Sequence, residues 1–210
     1  MDLSRIFKPE QPHYELSFLN DLSEAIIRVE EKYCFWDGQH EDHIQKIERV
    51  FCYELYHQYR LLTACKNQNN DFRIDGEIVK QLDVRPIDLL GTNINIKQEQ
   101  KQFSPDLVVH LGQSYQNVEN QKLIIEVKTR KVDNDELGVT ILKLNHYINV
   151  LNFQYAAFIS VNTDFNTVVL QLREIFSHNN VRNENFMRII IFNYKNRILN
   201  VDRLYHILTP

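Results

Sequence analysis

Ser104-Pro105-Asp106 and Leu123-Ile124-Ile125-Glu126-Val127-Lys128 are the two pieces of sequence on which the fold of this chain turns. The runs Asp106–Leu111 and Leu123–Lys128 are short and apolar, and Gly112–Lys122, rich in Gln and Asn, joins them, so the pair reads as a β-hairpin. In a strand, residues two apart share a face. Glu126 and Lys128 therefore point one way and Ile125 and Val127 the other. Two charges on one face of so apolar a strand are costly unless they are paired, bound to metal or at the strand's open end. With the turn centred on Asn117, Asp106 faces Lys128 and lies diagonal to Glu126; centred one residue earlier, Asp106 faces Glu126 directly. Either register brings the two acids within about 4.5–8 Å. Carboxylates that close both stay ionised only with a cation between them, and a hard divalent ion, Mg2+ or Mn2+, suits oxygen donors.

Outward from the hairpin, the pattern alternates between helix and strand. Ser17 to Tyr33 carries a helical stripe of Leu19, Leu22, Ile26, Ile27 and Val29. A longer helix is expected from Glu41 to Lys66, with Ile44, Ile47, Phe51, Leu55, Tyr59 and Leu62 stepping by three and four. Phe72–Leu82 is strand-like, with Gly76 as a candidate bulge, and residues 83–104 form a long polar connection. Beyond the hairpin, Asp133–Phe153 is helical, with Asp133 or Asn134 able to cap it. Tyr155–Val161 is a strand covered on both faces. Asp164–Ser177 is a helix, Phe186–Tyr194 a buried strand, and Ile198–Leu208 an edge strand or a helix. Asparagine takes the place of glycine at many of the turns.

Composition narrows the function. The chain has 210 residues, 43% hydrophobic and 25% charged, which fits one elaborated globular domain. Its closest glycines are Gly76 and Gly91, so neither GxxxxGK(S/T) nor GxGxxG can be written, and nucleotide-driven chemistry is disfavoured. No apolar run is long enough for a membrane span. The opening residues lack a secretory core, and Cys34, Cys52 and Cys65 contain no CxxC, which together point to a cytoplasmic protein with reduced thiols. A zinc set from Cys34, His40, His43 and Cys52 has the wrong spacing. A net charge of −4 argues against broad nucleic-acid coating but allows a local basic groove.

Pro105-Asp106 followed by Glu126-Val127-Lys128 resembles the signature of the PD-(D/E)XK nuclease superfamily, the restriction-endonuclease-like fold. The likeness covers about residues 41–161, in an αβββαβ order. Ile47-Glu48-Arg49, Ile74-Asp75-Gly76-Glu77, Pro105-Asp106-Leu107-Val108-Val109-His110 and Leu142-Lys143-Leu144 look like a poorly characterised group of its stand-alone members. The resemblance implies an α/β fold with a mixed central sheet flanked by helices. Residues 1–210 would form one domain, with 1–40 a helical extension and 162–210 an α/β elaboration. It also implies a metal-dependent nuclease: Asp106, Glu126 and the Val127 carbonyl hold Mg2+ or Mn2+, and Lys128 orients the attacking water. An acid from the preceding helix completes the set.

On a helical wheel Glu48 lies inside the apolar stripe of the 41–66 helix and Glu54 outside it, so Glu48 is the choice and Glu54 the fallback. Glu77 is a weaker addition. Arg49, Arg130, Lys131 and Lys143 are the candidate contacts to nucleic acid, with DNA the expected substrate; a homodimer is left open. His110 reads as a satisfied edge histidine, and Tyr53, Tyr56 and Tyr59 as packing residues. A structural reading makes Asp106 a turn or cap residue and Glu126–Lys128 part of a cross-strand ion pair. The rival function is a nuclease-like module that binds nucleic acid or protein without catalysis.

Overall fold

A computed structural model describes residues 13–34, 42–66, 72–76, 104–111, 120–177 and 184–209. Six strands form one sheet in sequence order: β1 (Phe72–Gly76), β2 (Leu107–Leu111), β3 (Gln121–Lys128), β4 (Tyr155–Val161), β5 (Ile189–Lys195) and β6 (Ile198–Arg203). The first three pair antiparallel, β3–β4 and β4–β5 pair parallel, and β6 closes the far edge antiparallel. Helices α1 (His13–Arg28) and α2 (Asp42–Lys66) contribute to the core on one face. On the other lie α3 (Asn134–Leu151), α4 (Phe165–Ser177) and α5 (Leu204–Leu208). The expected α/β architecture with a mixed, helix-flanked sheet is present. No helix among the described residues is long and apolar enough to cross a membrane.

The period of two in β3 sorts its side chains between the layers. Leu123, Ile125 and Val127 enter the core shared with α1 and α2, and Ile124 the core shared with α3 and α4. Crossover connections need covering helices, which is why β4 is buried along its whole length. Of the two hairpin registers, the structure adopts the one with the earlier centre. Leu107 stands opposite Ile125, so one step outward Asp106 comes beside Glu126.

Several boundaries differ from the sequence reading. The first helix ends at Arg28 and is followed by a separate 3-10 turn, Glu31–Tyr33. The charged Glu30-Glu31-Lys32 run carries no glycine or proline to mark that break. Gly76 is not a bulge: its register with Leu107 is regular, and the irregularity falls between Val109 and His110. A Cβ at Gly76 would meet Leu107 Cδ2 at 3.6 Å and the Asp106 carbonyl at 3.7 Å, ordinary contacts, so no steric demand selects glycine there. The expected strand start at Phe186 is a 3-10 turn, Glu184–Met187, whose Phe186 ring packs edge-on against Phe176. Ile198–Leu208 is both a strand and a helix. The extension of the first strand to Leu82 and the 83–104 connection lie, up to residue 103, outside the described residues.

Asparagine does act as the turn residue. Asn152, Asn162 and Asn196 all have positive φ, and Asn162 Nδ2 also donates to the carbonyls of Cys34 (2.7 Å) and Thr129 (3.2 Å). Asn196 and Arg197, at φ 51° and 62°, form the two-residue turn between β5 and β6. Both positions of such a turn need the left-handed region, where Arg is strained and Gly is not. Arg197 is 79% exposed and its 3.4 Å pair with Glu31 lies in water, so that pair contributes little. Arg197→Gly should therefore raise stability by roughly 0.5–1 kcal/mol, read as a higher urea midpoint at unchanged slope. A lower midpoint would show that the Glu31 contact outweighs the backbone strain.

Candidate active site

The site forms where β2 begins and β3 ends. Pro105 is buried and places Asp106 just ahead of β2, where Asp106 Oδ2 accepts a 2.7 Å hydrogen bond from the Val127 amide. Glu126 follows Ile124 on the face covered by α3 and is only 4% exposed. Lys143 reaches it from α3, Nζ to Oε1 2.6 Å, and also donates to the Ser104 carbonyl at 3.4 Å. That ammonium is the charge that offsets the buried Glu126 carboxylate. The buried Tyr147 hydroxyl, one turn beyond Lys143, lacks a hydrogen-bond partner among the described residues.

Lys128, two residues on, lies between acids from both helical layers: Glu48 Oε1 of α2 at 3.2 Å and Glu136 Oε1 of α3 at 3.7 Å. Glu136 is set by the helix start. Asp133 caps α3 by accepting the Glu136 amide at 2.8 Å, and the Glu136 side chain then turns to Lys128 and to Arg130, 2.8 Å away.

Burial and like charge shape the proton affinities. Burial pushes the Glu126 carboxyl up to about 7; Lys143 opposes that shift and Asp106 adds to it. Glu48 is raised by burial and by Asp106, against the pull of Lys128. For Lys128, burial favours the neutral amine, but Glu48, Asp106 and Glu136 together outweigh it and hold the ammonium above its ordinary range. The Cys52 thiol, buried and facing Asp106, Glu48 and Glu126, is pushed well up and stays protonated.

Asp106, Glu126, Lys128 and Glu48 are thus brought together, as the strand period and the helical wheel indicate. Glu54 is not part of the group: it accepts a 2.7 Å hydrogen bond from Gln58 along α2. Glu77 lies outside the described residues. Of the expected nucleic-acid contacts, Arg49 is exposed at the edge of a cleft of about 720 Å³ beside Asp106, and Lys131 is exposed beyond β3. Arg130 is engaged by Glu136, and Lys143 is turned inward onto Glu126 rather than outward. His110 is satisfied by Asp75 at 2.7 Å. Sequence reasoning missed Glu136, which its place three residues after the cap disguises as a capping residue. It also read Tyr53 and Tyr56 as packing, although both line the cleft.

Among the described residues, no group of three or more His, Cys, Asp or Glu side chains is placed to hold a metal ion. Glu48 is drawn to Lys128, which leaves Asp106 and Glu126 as the adjacent carboxylates.

The raised Glu126 pKa fixes a pH dependence. Between the ordinary glutamate value and about 7 the folded state binds this proton and the unfolded state does not, so this group's contribution falls as pH rises through that window. Glu126→Gln, which mimics the protonated acid, should match the parent near pH 4. It should gain on the parent by up to about 3 kcal/mol by pH 8, measured by urea unfolding in EDTA. A difference that does not change with pH would mean that Lys143 fully compensates the buried charge. No family model matches this chain, and no curated protein or solved structure does either.

Proposed function

We propose that this chain is a metal-dependent nuclease that hydrolyses phosphodiester bonds in nucleic acid, with DNA as the expected substrate, on a restriction-endonuclease-like core. One observation carries the proposal. At the end of a strand that is apolar from Leu123 to Ile125, the buried Glu126 sits beside Asp106, and Lys128 follows on the same face. A purely structural ion pair does not need the second carboxylate. The order α2, β1, β2, β3, α3, β4 supports the same reading, because it is the αβββαβ arrangement in which the Pro-Asp and Glu-x-Lys residues meet.

The residues fit a hard dication. A buried carboxylate next to a second carboxylate supplies oxygen donors of the kind Mg2+ or Mn2+ takes. Asp106 and Glu126 would hold it, with Glu48 and the Val127 carbonyl as further donors. When bound, the ion would supply Lewis acidity and offset charge on the scissile phosphate. The chain's own groups do the rest. Lys128 has a proton affinity raised by its acidic neighbours, so near neutral pH it is a fixed cation and not a base. It would orient the attacking water and stabilise negative charge gathering on the phosphoryl oxygens. The Val127 amide holds Asp106 in one rotamer, which keeps the carboxylate pair in register.

One observation favours the noncatalytic module. Lys143 on Glu126 and Lys128 on Glu48 already offset charge without any added ion. Two measurements separate the readings. Asp106→Ala and Lys128→Met should each lower the nicking of supercoiled plasmid in Mn2+ at least about a hundredfold, with circular dichroism spectra like the parent's. In calorimetric Mn2+ titration the heat should vanish in Asp106→Ala and persist in Lys128→Met, which removes a nearby positive charge. A parent protein that neither takes up Mn2+ nor cuts would establish the module instead.

A further inference from the structure

We infer that the cleft beside Asp106 receives an unstacked nucleotide on a tyrosine shelf formed by Tyr53 and Tyr56, so that the substrate is single-stranded nucleic acid rather than continuous duplex. For cleavage, the inference rests on the nuclease reading; for binding, it stands alone.

The cleft measures about 720 Å³, within the range of roughly 300–1,000 Å³ that holds compact ligands. Asp106 lines it together with Glu48, Arg49, Tyr53 and Tyr56 of α2. Tyr53 and Tyr56 are three residues apart, hence neighbours on the helix surface, and Arg49 precedes Tyr53 by one turn. Tyr53 is 64% exposed, a large cost in wetted ring surface for a residue that only packs. Tyr56 is fixed: it packs against the core beneath α2, its hydroxyl accepts from Arg60 at 3.2 Å, and the Arg60 guanidinium lies 5.6 Å from its ring centre. One anchored ring beside one exposed ring, next to a guanidinium and opening onto the carboxylates, is the chemistry that takes a base face and its adjoining phosphate.

The charges argue against duplex. A protein that tracks duplex gains its affinity by neutralising several phosphates. Here Lys143 is held by Glu126, Lys128 by Glu48 and Glu136, and Arg130 by Glu136, in a chain of net charge −4. With those three cations committed, stacking has to supply a large share of the affinity, and stacking needs bases out of the helix.

The test is fluorescence anisotropy in Ca2+ with a labelled oligothymidylate and a blunt duplex of equal length. The single strand should bind at least about tenfold more tightly. Tyr53→Ala should weaken the single strand about fivefold or more, in line with the loss of one stacked base, and leave duplex binding unchanged, whereas Tyr53→Trp should keep the affinity. Because Tyr53 is exposed, these variants should fold as the parent does, which their melting curves will confirm. Equal or tighter duplex binding, or a Tyr53→Ala loss common to both ligands, overturns the shelf. Cleavage in Mn2+ separates this from the function itself. Duplex cutting indifferent to Tyr53 overturns the shelf and keeps the nuclease. Tyr53-dependent single-strand binding with no cutting of either substrate keeps the shelf and overturns the nuclease.

Discussion

A carboxylate held almost out of water at Glu126 is the constraint around which this end of the molecule is organised. Helices cover both faces of the sheet at β3, so a charge buried there has to be neutralised. Lys143 supplies the neutralising charge from above, and the Val127 amide restrains Asp106 alongside. Even so, burial and Asp106 leave Glu126 more basic than an ordinary glutamate. An ion pair that existed only to stabilise the fold would be poorly built this way. Replacing such buried pairs by apolar residues often costs nothing, and nothing in the packing calls for a second acid.

Helix α3 is the counterpart of that strand. A helix returning over the strand before it runs antiparallel to it, so its first turn meets the strand's end. Glu136 in that first turn accordingly meets Lys128, and Lys143, two turns on, meets Glu126. Glu136, Thr140, Lys143 and Tyr147 recur at helical spacing on one face, which is otherwise flanked by Leu137, Ile141 and Leu144 buried in the core. The polar stripe is therefore the part of α3 that lies over the charged end of β3, and the apolar residues lie over the rest of the sheet. From the other layer Glu48 reaches the same lysine.

Much of this was legible in the sequence, because the strand period fixes faces whatever the tertiary structure. Asp106, Glu126 and Lys128 had to share a side, and Tyr155–Val161 had to be covered on both. Register was not legible: the apolar runs fit both hairpin alignments, and the choice between them rests on main-chain pairing such as Leu107 with Ile125. Phe186 was misplaced because an apolar run does not distinguish a 3-10 turn from a strand when both bury a ring in the same core. The helical site residues divide in the same way. Glu48 stood out as an acid within an apolar stripe. Lys143 and Glu136 did not, since whether a polar helix residue turns to solvent or to the sheet depends on what the sheet presents beneath it. Tyr53 was missed for the opposite reason: a helix of mixed apolar residues gives no sign that one ring stays in water.

The committed cations also bear on how the cleft takes a substrate on the proposed reading. Asp106 and Glu48 line the cleft, and the nearby lysines are already engaged, Lys128 by Glu48 and Lys143 by Glu126. A phosphodiester entering that cleft would meet the charge of Asp106 and Glu48, which a dication held by the carboxylates would offset. Lys128, whose ammonium is fixed by Glu48 and Glu136 from opposite layers, does not need to move for this to happen. What remains to hold the substrate is the α2 side of the cleft, with Tyr53, Tyr56 and Arg49. On the proposed reading the carboxylates would select for a cation and the tyrosines for an exposed base.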